Sequence, residues 1–398
     1  MKLRLLLLLA ATSALLGSVG RAEPARRPRY GGTLRVEIGA VVNSIDPSVA
    51  AASPEETVAK DEICALLYER RNADGTFAGV AGSGAFRIAQ WEPGKHLTLE
   101  ANPDHRGGRA FVDSVEIEMG KPAHERLVDL EVGKTDFAEI PPEEVRRANE
   151  GGVRVSTSQP DELLAIVFTA GRPVAEDAHA REALSRSIDR SAIVNFILQK
   201  EGEPAGGLLP QWSSGTAFLF PTAADAAAAK SLWGQITGSP KIVLGYDASD
   251  PLEQSVAERI VVNARDAGIE IAAETGQGAT ASYDARLVRL RMKSPHPGTA
   301  LASFLSALAP DVNVNGPTEP PLPPPGVPKG MTEIEWLATS APAEKVYDAE
   351  RWVVNSYRVV PLIWLPRAYG LSARVRDWIA PAPGEAWPFA DVWLGDEQ

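Results

Sequence analysis

The sequence predicts an α/β protein built as two lobes, and three observations carry that prediction. The chain has 398 residues, more than one compact core accommodates. The stretch KIVLGYDASDPLEQSVAERIVVNARDAGIEIAAE, residues 241–274, reads as a strand–helix–strand unit. Such a unit implies parallel strands and a right-handed crossover. ELLAIVFT, residues 162–169, has the near-continuous apolar character of a strand buried on both faces.

The elements follow in chain order. Lys2 and Arg4 precede an apolar run to Val19, and Gly20 and Ala22 form a small-x-small site. Residues 1–22 therefore read as a secretory signal peptide cut after Ala22. The apolar run is shorter than the ~20 residues a membrane span needs. Residues 23–29 read as a flexible leader. GGTLRVEIGA is a strand with Leu34, Val36 and Ile38 alternating, and VVNSIDPS is a loop of turn-forming residues. A helix is expected over 54–70, with Val58, Ile63 and Leu67 inward, then a Gly-rich connection.

GSGAFRIAQWEPGKHLTLEANPDHRGG (82–108) is a hairpin. Glu92-Pro93-Gly94-Lys95 suits a type II turn, with Pro fixing φ at the second position and Gly accepting positive φ at the third. SVEIEMG predicts a further strand, KPAHERLVDLEVGK a helix ending near Gly133, and TDFAEI a short strand. AEDAHAREALSRSIDRSAIVNFILQ reads as helical throughout, with Ala180, Ala183, Leu184 and Ile188 on one face and Ile193, Val194 and Ile197 continuing after Asp189. Residues 202–222 read as a loop. In the strand–helix–strand unit, Asp250 caps the helix, Pro251 opens it and Gly268 closes it. The proline-rich segment 316–328 excludes helix and central strand. A helix around 342–356, the strand RVVPLIWLP and a Trp-rich tail finish the chain.

Charge and motifs exclude several functions. The net charge is −12, and about −15 once Lys2, Arg4 and Arg21 leave with the signal peptide. That balance argues against nucleic-acid binding, because phosphates demand a basic surface. Phosphate-binding loops, dinucleotide fingerprints, H-E-x-x-H and G-x-S-x-G are all absent from the sequence. His96, His105, His124, His179 and His296 stand singly, without metal-ligand spacing, so neither metal nor cofactor is expected. Cys64, the only cysteine, lies in the apolar context EICALLY and reads as a buried, inert thiol. Trp91, Trp336, Trp352 and Trp364 fall in predicted elements and read as core. Trp212 and Trp387 fall in loops, where an aromatic can offer contact area to a ligand.

The order of motifs resembles the extracytoplasmic solute-binding proteins, family 5, that serve peptide, dipeptide and nickel ABC importers. The carrying residues are YGGTLRV (30–36), the block GSGAFRI…ANPDHRGG, VDSVEIEM, LEVGKTDFAEIPPEEV, REALSRSIDRSAIV with GEPAGGLLP, DAGIEI and VVPLIWLPRAYGLSARV. The resemblance implies a two-lobe, periplasmic-binding-protein-like (type II) α/β fold with a ligand cleft between the lobes. It also implies a periplasmic location, no catalysis, and a permease partner in the membrane. Two departures stand out. The block that such proteins carry between the LLYE helix and the hairpin is missing, so the outlying subdomain is expected to be absent. KSPHPGTALASFLSAL lacks the Asp-containing loop that can meet a peptide amino terminus, and Thr169 and Ala170 replace an asparagine after the first crossover strand.

On this reading lobe one spans 30–168 plus 365–398 and lobe two spans 169–364, with crossings near Phe168 and Trp364. The expected ligand is a small molecule, with a peptide first. The expected contacts are Asn43 and Asp46 on the first loop, Trp212, Ser294 and His296 on lobe-two loops, and Trp387 in the tail. No lipid anchor is expected, and the chain is expected to be a monomer. The alternatives are a cell-envelope hydrolase using His296 or His105, and a non-transporting sensor or chaperone-like binder.

Overall fold

The computed structural model describes residues 27–71, 77–216, 219, 221–238, 240–275, 283–309 and 327–396. The predicted signal peptide and most of the proline-rich segment 316–328 lie outside the described residues.

Among the described residues the strands are β1 (Thr33–Glu37), β2 (Arg70–Arg71), β3 (Phe77–Ala78), β4 (Phe86–Glu92), β5 (His96–Ala101), β6 (Ser114–Glu118), β7 (Phe137–Ile140), β8 (Arg154–Phe168), β9 (Glu203–Pro204), β10 (Ile242–Tyr246), β11 (Ile271–Thr275), β12 (Ala285–Arg291), β13 (Val359–Leu371), β14 (Val375–Arg376) and β15 (Trp393–Leu394). Helices of six residues or more are α1 (Pro54–Leu67), α2 (Ala123–Glu131), α3 (Val145–Glu150), α4 (Ala178–Ser187), α5 (Ala226–Trp233), α6 (Pro251–Asp266), α7 (Pro297–Leu308), α8 (Glu333–Thr339) and α9 (Ala343–Asn355).

One path of paired strands runs β11-β10-β12-β8-β13-β7-β1-β6-β5-β4, with β9 added on β13. It holds two parallel sets, β11-β10-β12 at one end and β7-β1-β6 beyond β13, with the antiparallel strands β5 and β4 closing the other end. The long antiparallel pair β8 and β13 joins the two. The strand–helix–strand expectation is met by β10, α6 and β11. Asp250 accepts from the Leu252 and Glu253 amides, and Gly268 follows the helix at φ 79°.

The buried side chains separate along this path. On one side Leu34, Phe86, Leu97, Phe137, Tyr369 and Phe389 share a core, with a satellite around Leu127 and Ala148. On the other side β8 feeds two cores at once. Leu164, Ile166 and Phe168 pack with Leu184 and Ile260, while Leu163, Ala165 and Val167 pack with Phe304 and Val353. Strand side chains alternate between faces, so a strand covered on both faces must be apolar at every position.

One local expectation changes. The helical stretch after 178 breaks at Ile188, because the Asp189 side chain accepts from the Ala192 amide and starts a new turn. A single π-type turn, Ile193–Ile197, follows it. Pro160 and Pro366 face each other in the β8–β13 ladder, between two register shifts. Proline donates no ladder hydrogen bond and favours such irregularities. Residues 162–168 pair with β12 along the other edge of β8. Among the described residues between α1 and the hairpin, β2 and β3 pair, and the Gly82 and Gly84 amides both donate to the Leu67 carbonyl.

Candidate ligand site between the lobes

A slot of about 70 Å³ lies where the lobes meet. Its first wall is α1, contributing Thr57, Val58, Asp61 and Glu62. Ser53 caps this helix by accepting from the Glu56 amide, and Pro54 sits in its first turn. Ile63 and Leu67 turn into the core, which fixes the neighbouring Glu62 toward β8 and β13. The floor comes from the crossing strands as Asp161 and Arg367. The far wall is Arg291, Met292 and Lys293 at the end of β12, and Gly384 and Glu385 close the slot from the tail.

The floor is a buried charge network. Arg367 Nε lies 2.9 Å from Asp161 Oδ2 and Nη1 lies 3.3 Å from Glu62 Oε1. Its Nη2 donates to the Pro381 carbonyl at 3.1 Å, tying the tail to β13. Glu62 Oε2 accepts from the Trp387 amide at 2.9 Å. Asp161 is fully buried, and neither carboxylate oxygen accepts an aligned hydrogen bond among the described residues. Burial pushes Glu62 up to about 7, against the pull of Arg367 and Arg291. Burial also raises Asp161, with the same two guanidinium groups opposing it. Next door, Glu162 Oε1 meets Arg289 Nη1 at 2.7 Å and Oε2 meets Arg291 Nε at 3.7 Å. Burial alone would raise Glu162, but Arg289 and Arg291 outweigh it and hold the group below the ordinary carboxylate range. Lys293 has no ion pair among the described residues and is exposed at the slot.

The residues singled out from sequence fall around the slot, and none of the six lines it. Asn43 is held on lobe one, its amide donating to Glu56 Oε1 at 2.7 Å. Asp46 accepts from the Ser48 amide and hydroxyl in a local turn, and those bonds draw its pKa down. Trp212 is 37% exposed, and its indole N–H donates to the Pro160 carbonyl at 2.8 Å. It thus links the short helix Gln211–Ser214, where the sequence suggested a loop, to β8 at Pro160. Ser294 accepts from the His296 amide at 3.1 Å, next to Lys293. His296 is exposed and opens instead onto a separate cavity inside lobe two. Trp387 lies in a loop, as read from the sequence, but its indole is turned inward. It is 2% exposed, with ring centroids 5.7 Å from Phe137 and 5.3 Å from Phe389, so the indole is a core group and only its backbone reaches the network.

The slot is closed by a tight approach. Gly384 has φ 82°, and a Cβ there would collide with the Lys293 carbonyl across the lobes. Gly384→Ala is expected to cost roughly 1–3 kcal/mol through left-handed strain and to hold the lobes apart. Denaturation midpoints and the radius of gyration from X-ray scattering check this. An unchanged radius and midpoint would show the contact to be unimportant.

Among the described residues no group of three or more His, Cys, Asp or Glu side chains could hold a metal ion, and no helix is long and apolar enough to cross a membrane.

Comparison with known proteins bears on this geometry. The chain is 28% identical over 125 residues to the oligopeptide-binding protein AppA of Bacillus subtilis (strain 168), covering 31% of this chain and 23% of that protein. It is 27% identical over 184 residues to the probable D,D-dipeptide-binding periplasmic protein DdpA of Escherichia coli (strain K12), covering 45% and 35%. The matches thus span about a quarter to a third of those relatives' own length. Two solved structures share the fold. The ABC transporter substrate-binding protein CtaP of Listeria monocytogenes has a TM-score of 0.73 at 14% identity, covering 92% of this chain and 100% of its own. DppA of Helicobacter pylori, in complex with the peptide STSA, has 0.66 at 13%, covering 92% and 99%. The model of the bacterial extracellular solute-binding proteins, family 5, matches residues 42–312. With that match across more than half its length, the chain belongs to the bacterial extracellular solute-binding proteins of family 5.

Proposed function

We propose that this protein captures peptides between its two lobes outside the cytoplasm and delivers them to the membrane permease of an ABC importer, without altering them. Lobe one comprises residues 30 to about 160 and the tail from about 366, and lobe two the stretch between, with the hinge at the proline pair Pro160 and Pro366. On this proposal the signal peptide read at residues 1–22 carries the mature chain to the periplasm, where it works as a monomer. Its acidic charge speaks against nucleic acid as a partner.

The observation that carries the reading is the slot. Its walls come from two separately packed lobes, and its floor from the long strand pair β8 and β13 that joins them. Ligand sites concentrate at such interfaces, and hinge closure over a ligand changes the outer surface that a partner reads. The charges suit a peptide's ends and backbone. Lys293 and Arg291 stand on one wall, Asp61 and Glu62 on the other, and Asp161 lies in the floor. Trp212 and Ser294 border this set, and they remain part of the proposed contact region.

Native mass spectrometry of the purified mature chain, then thermal-shift titration with a dipeptide and tripeptide library, tests the reading. A co-purified peptide mass, or a saturable shift that Lys293→Ala weakens, is the expected result. No bound mass and no shift with any peptide would overturn it.

A further inference from the structure

A second cavity, of about 320 Å³, lies wholly within lobe two. That volume is in the range of small-molecule pockets, ~300–1,000 Å³. Its mouth carries His296 and Ser340, its sides are Leu209, Leu337 and Val346, and Glu350 lies in its lining. Two close approaches build the walls. A Cβ on Gly298 would run into the Leu337 carbonyl, which sets α7 directly against α8. A Cβ on Gly207 would sit 2.6 Å from Glu350 Oε1, which sets the 206–209 loop against α9.

Glu350 is the anomaly in this cavity. Its residue is 2% exposed, and Oε1 accepts from the Leu209 amide at 2.8 Å. No cation faces it among the described residues. The two basic residues nearest in sequence on α9 are turned to Asp348, Lys345 Nζ at 3.3 Å and Arg351 Nη2 at 3.4 Å. A buried carboxylate without a counter-charge is costly, and burial accordingly pushes this one up to about 7. A backbone amide does not neutralise a charge, whereas an ammonium does. The rest of the lining mixes apolar side chains, Leu209, Leu337 and Val346 among them, with hydroxyl groups such as those of Ser214 and Thr299, which suits an amphipathic body.

We infer that lobe two carries a ligand site distinct from the interlobe slot, a cavity in which Glu350 receives the ammonium group of a small amphipathic amine while Leu209, Leu337 and Val346 hold its apolar part. The site shares the 293–297 loop with the far wall of the slot. It therefore lies beside the cleft without using the residues assigned there.

The test titrates the full mature chain at pH 8 with cyclohexylamine and phenethylamine, and with cyclohexanol and phenethyl alcohol as uncharged counterparts, by calorimetry and thermal shift. The amines are expected to bind at one site at least tenfold more tightly than the alcohols. Glu350→Gln keeps an acceptor for the Leu209 amide, and it should lower amine affinity about tenfold with alcohol affinity unchanged. Ala341→Leu, which fills the cavity, should abolish amine binding in a chain that still unfolds cooperatively. Dipeptide binding at the slot is read in parallel and should survive both variants, so a failure of the peptide reading is recognised separately. Amines that bind no better than alcohols, or an amine response that Ala341→Leu leaves intact, would overturn the proposal.

Discussion

Arg367→Met is expected to lower folding stability by about 3–5 kcal/mol at pH 8, the usual loss when one partner of a buried ion pair is removed. The Arg367 side chain is 8% exposed, between Glu62 at 9% and Asp161 at 0%. Methionine retains much of the aliphatic stem, so the loss reports mainly the stranded carboxylates. Asp161 suffers most, having no aligned hydrogen-bond donor to share its charge. The sign of the pH dependence follows. Burial already raises both carboxyl groups, and without the guanidinium they rise further and bind protons in mild acid. The deficit should therefore shrink at pH 5. Urea midpoints of the wild-type and variant chains at the two pH values check this. Adding Glu62→Gln and Asp161→Asn to the variant should restore most of the stability, since no buried charge is then left. A loss equal at both pH values would assign the effect to packing instead.

That network also shows how much of the site was legible in the sequence. The strands were legible wherever one face or both were apolar. ELLAIVFT read as a strand buried on both faces and RVVPLIWLP as a strand, and they form β8 and β13 in the middle of the path. The Asp250 cap and the Gly94 turn were legible because their chemistry is local, and Gly94 adopts φ 73°. The slot was not. Glu62, Asp161, Arg291 and Arg367 lie as much as 305 positions apart and meet only after both lobes fold. Each alone reads as an ordinary surface charge. One signal was present in the sequence. Asp161 precedes the apolar run of β8, and Arg367 follows that of β13, so an antiparallel pairing of the two runs brings these charges to one end. Trp387 misled for the converse reason. GEAWPF has loop composition, yet the loop folds over Phe137 and buries the indole.

Stability should also fall as pH rises from about 5 to 7.5. Glu62, Glu253 and Glu350 each stand at about 7 in the folded chain against an ordinary 4.5, with burial as the first cause in all three. The folded state then binds protons that the unfolded state has released, so the stabilising contribution is complete below about pH 4.5 and is lost through pH 7. A shift of this size corresponds to roughly 3 kcal/mol per group on the scale of 1.36 kcal/mol per pH unit. Glu162 and Glu176 act in the other direction. Their folded pKa values are depressed, so their contribution is lost only in stronger acid. Together these groups set a stability maximum on the acid side of neutrality. Glu350→Gln isolates one of them, because no cation is left unpaired by the change. At pH 8 it should raise the unfolding midpoint, and at pH 5, where the native carboxyl is already protonated, it should change little. Thermal melts of both chains from pH 5 to 8 decide the matter. A midpoint that climbs with pH, or a variant that gains equally at both ends, would mean that these carboxyl groups find compensation in the folded protein that burial and hydrogen bonding do not account for.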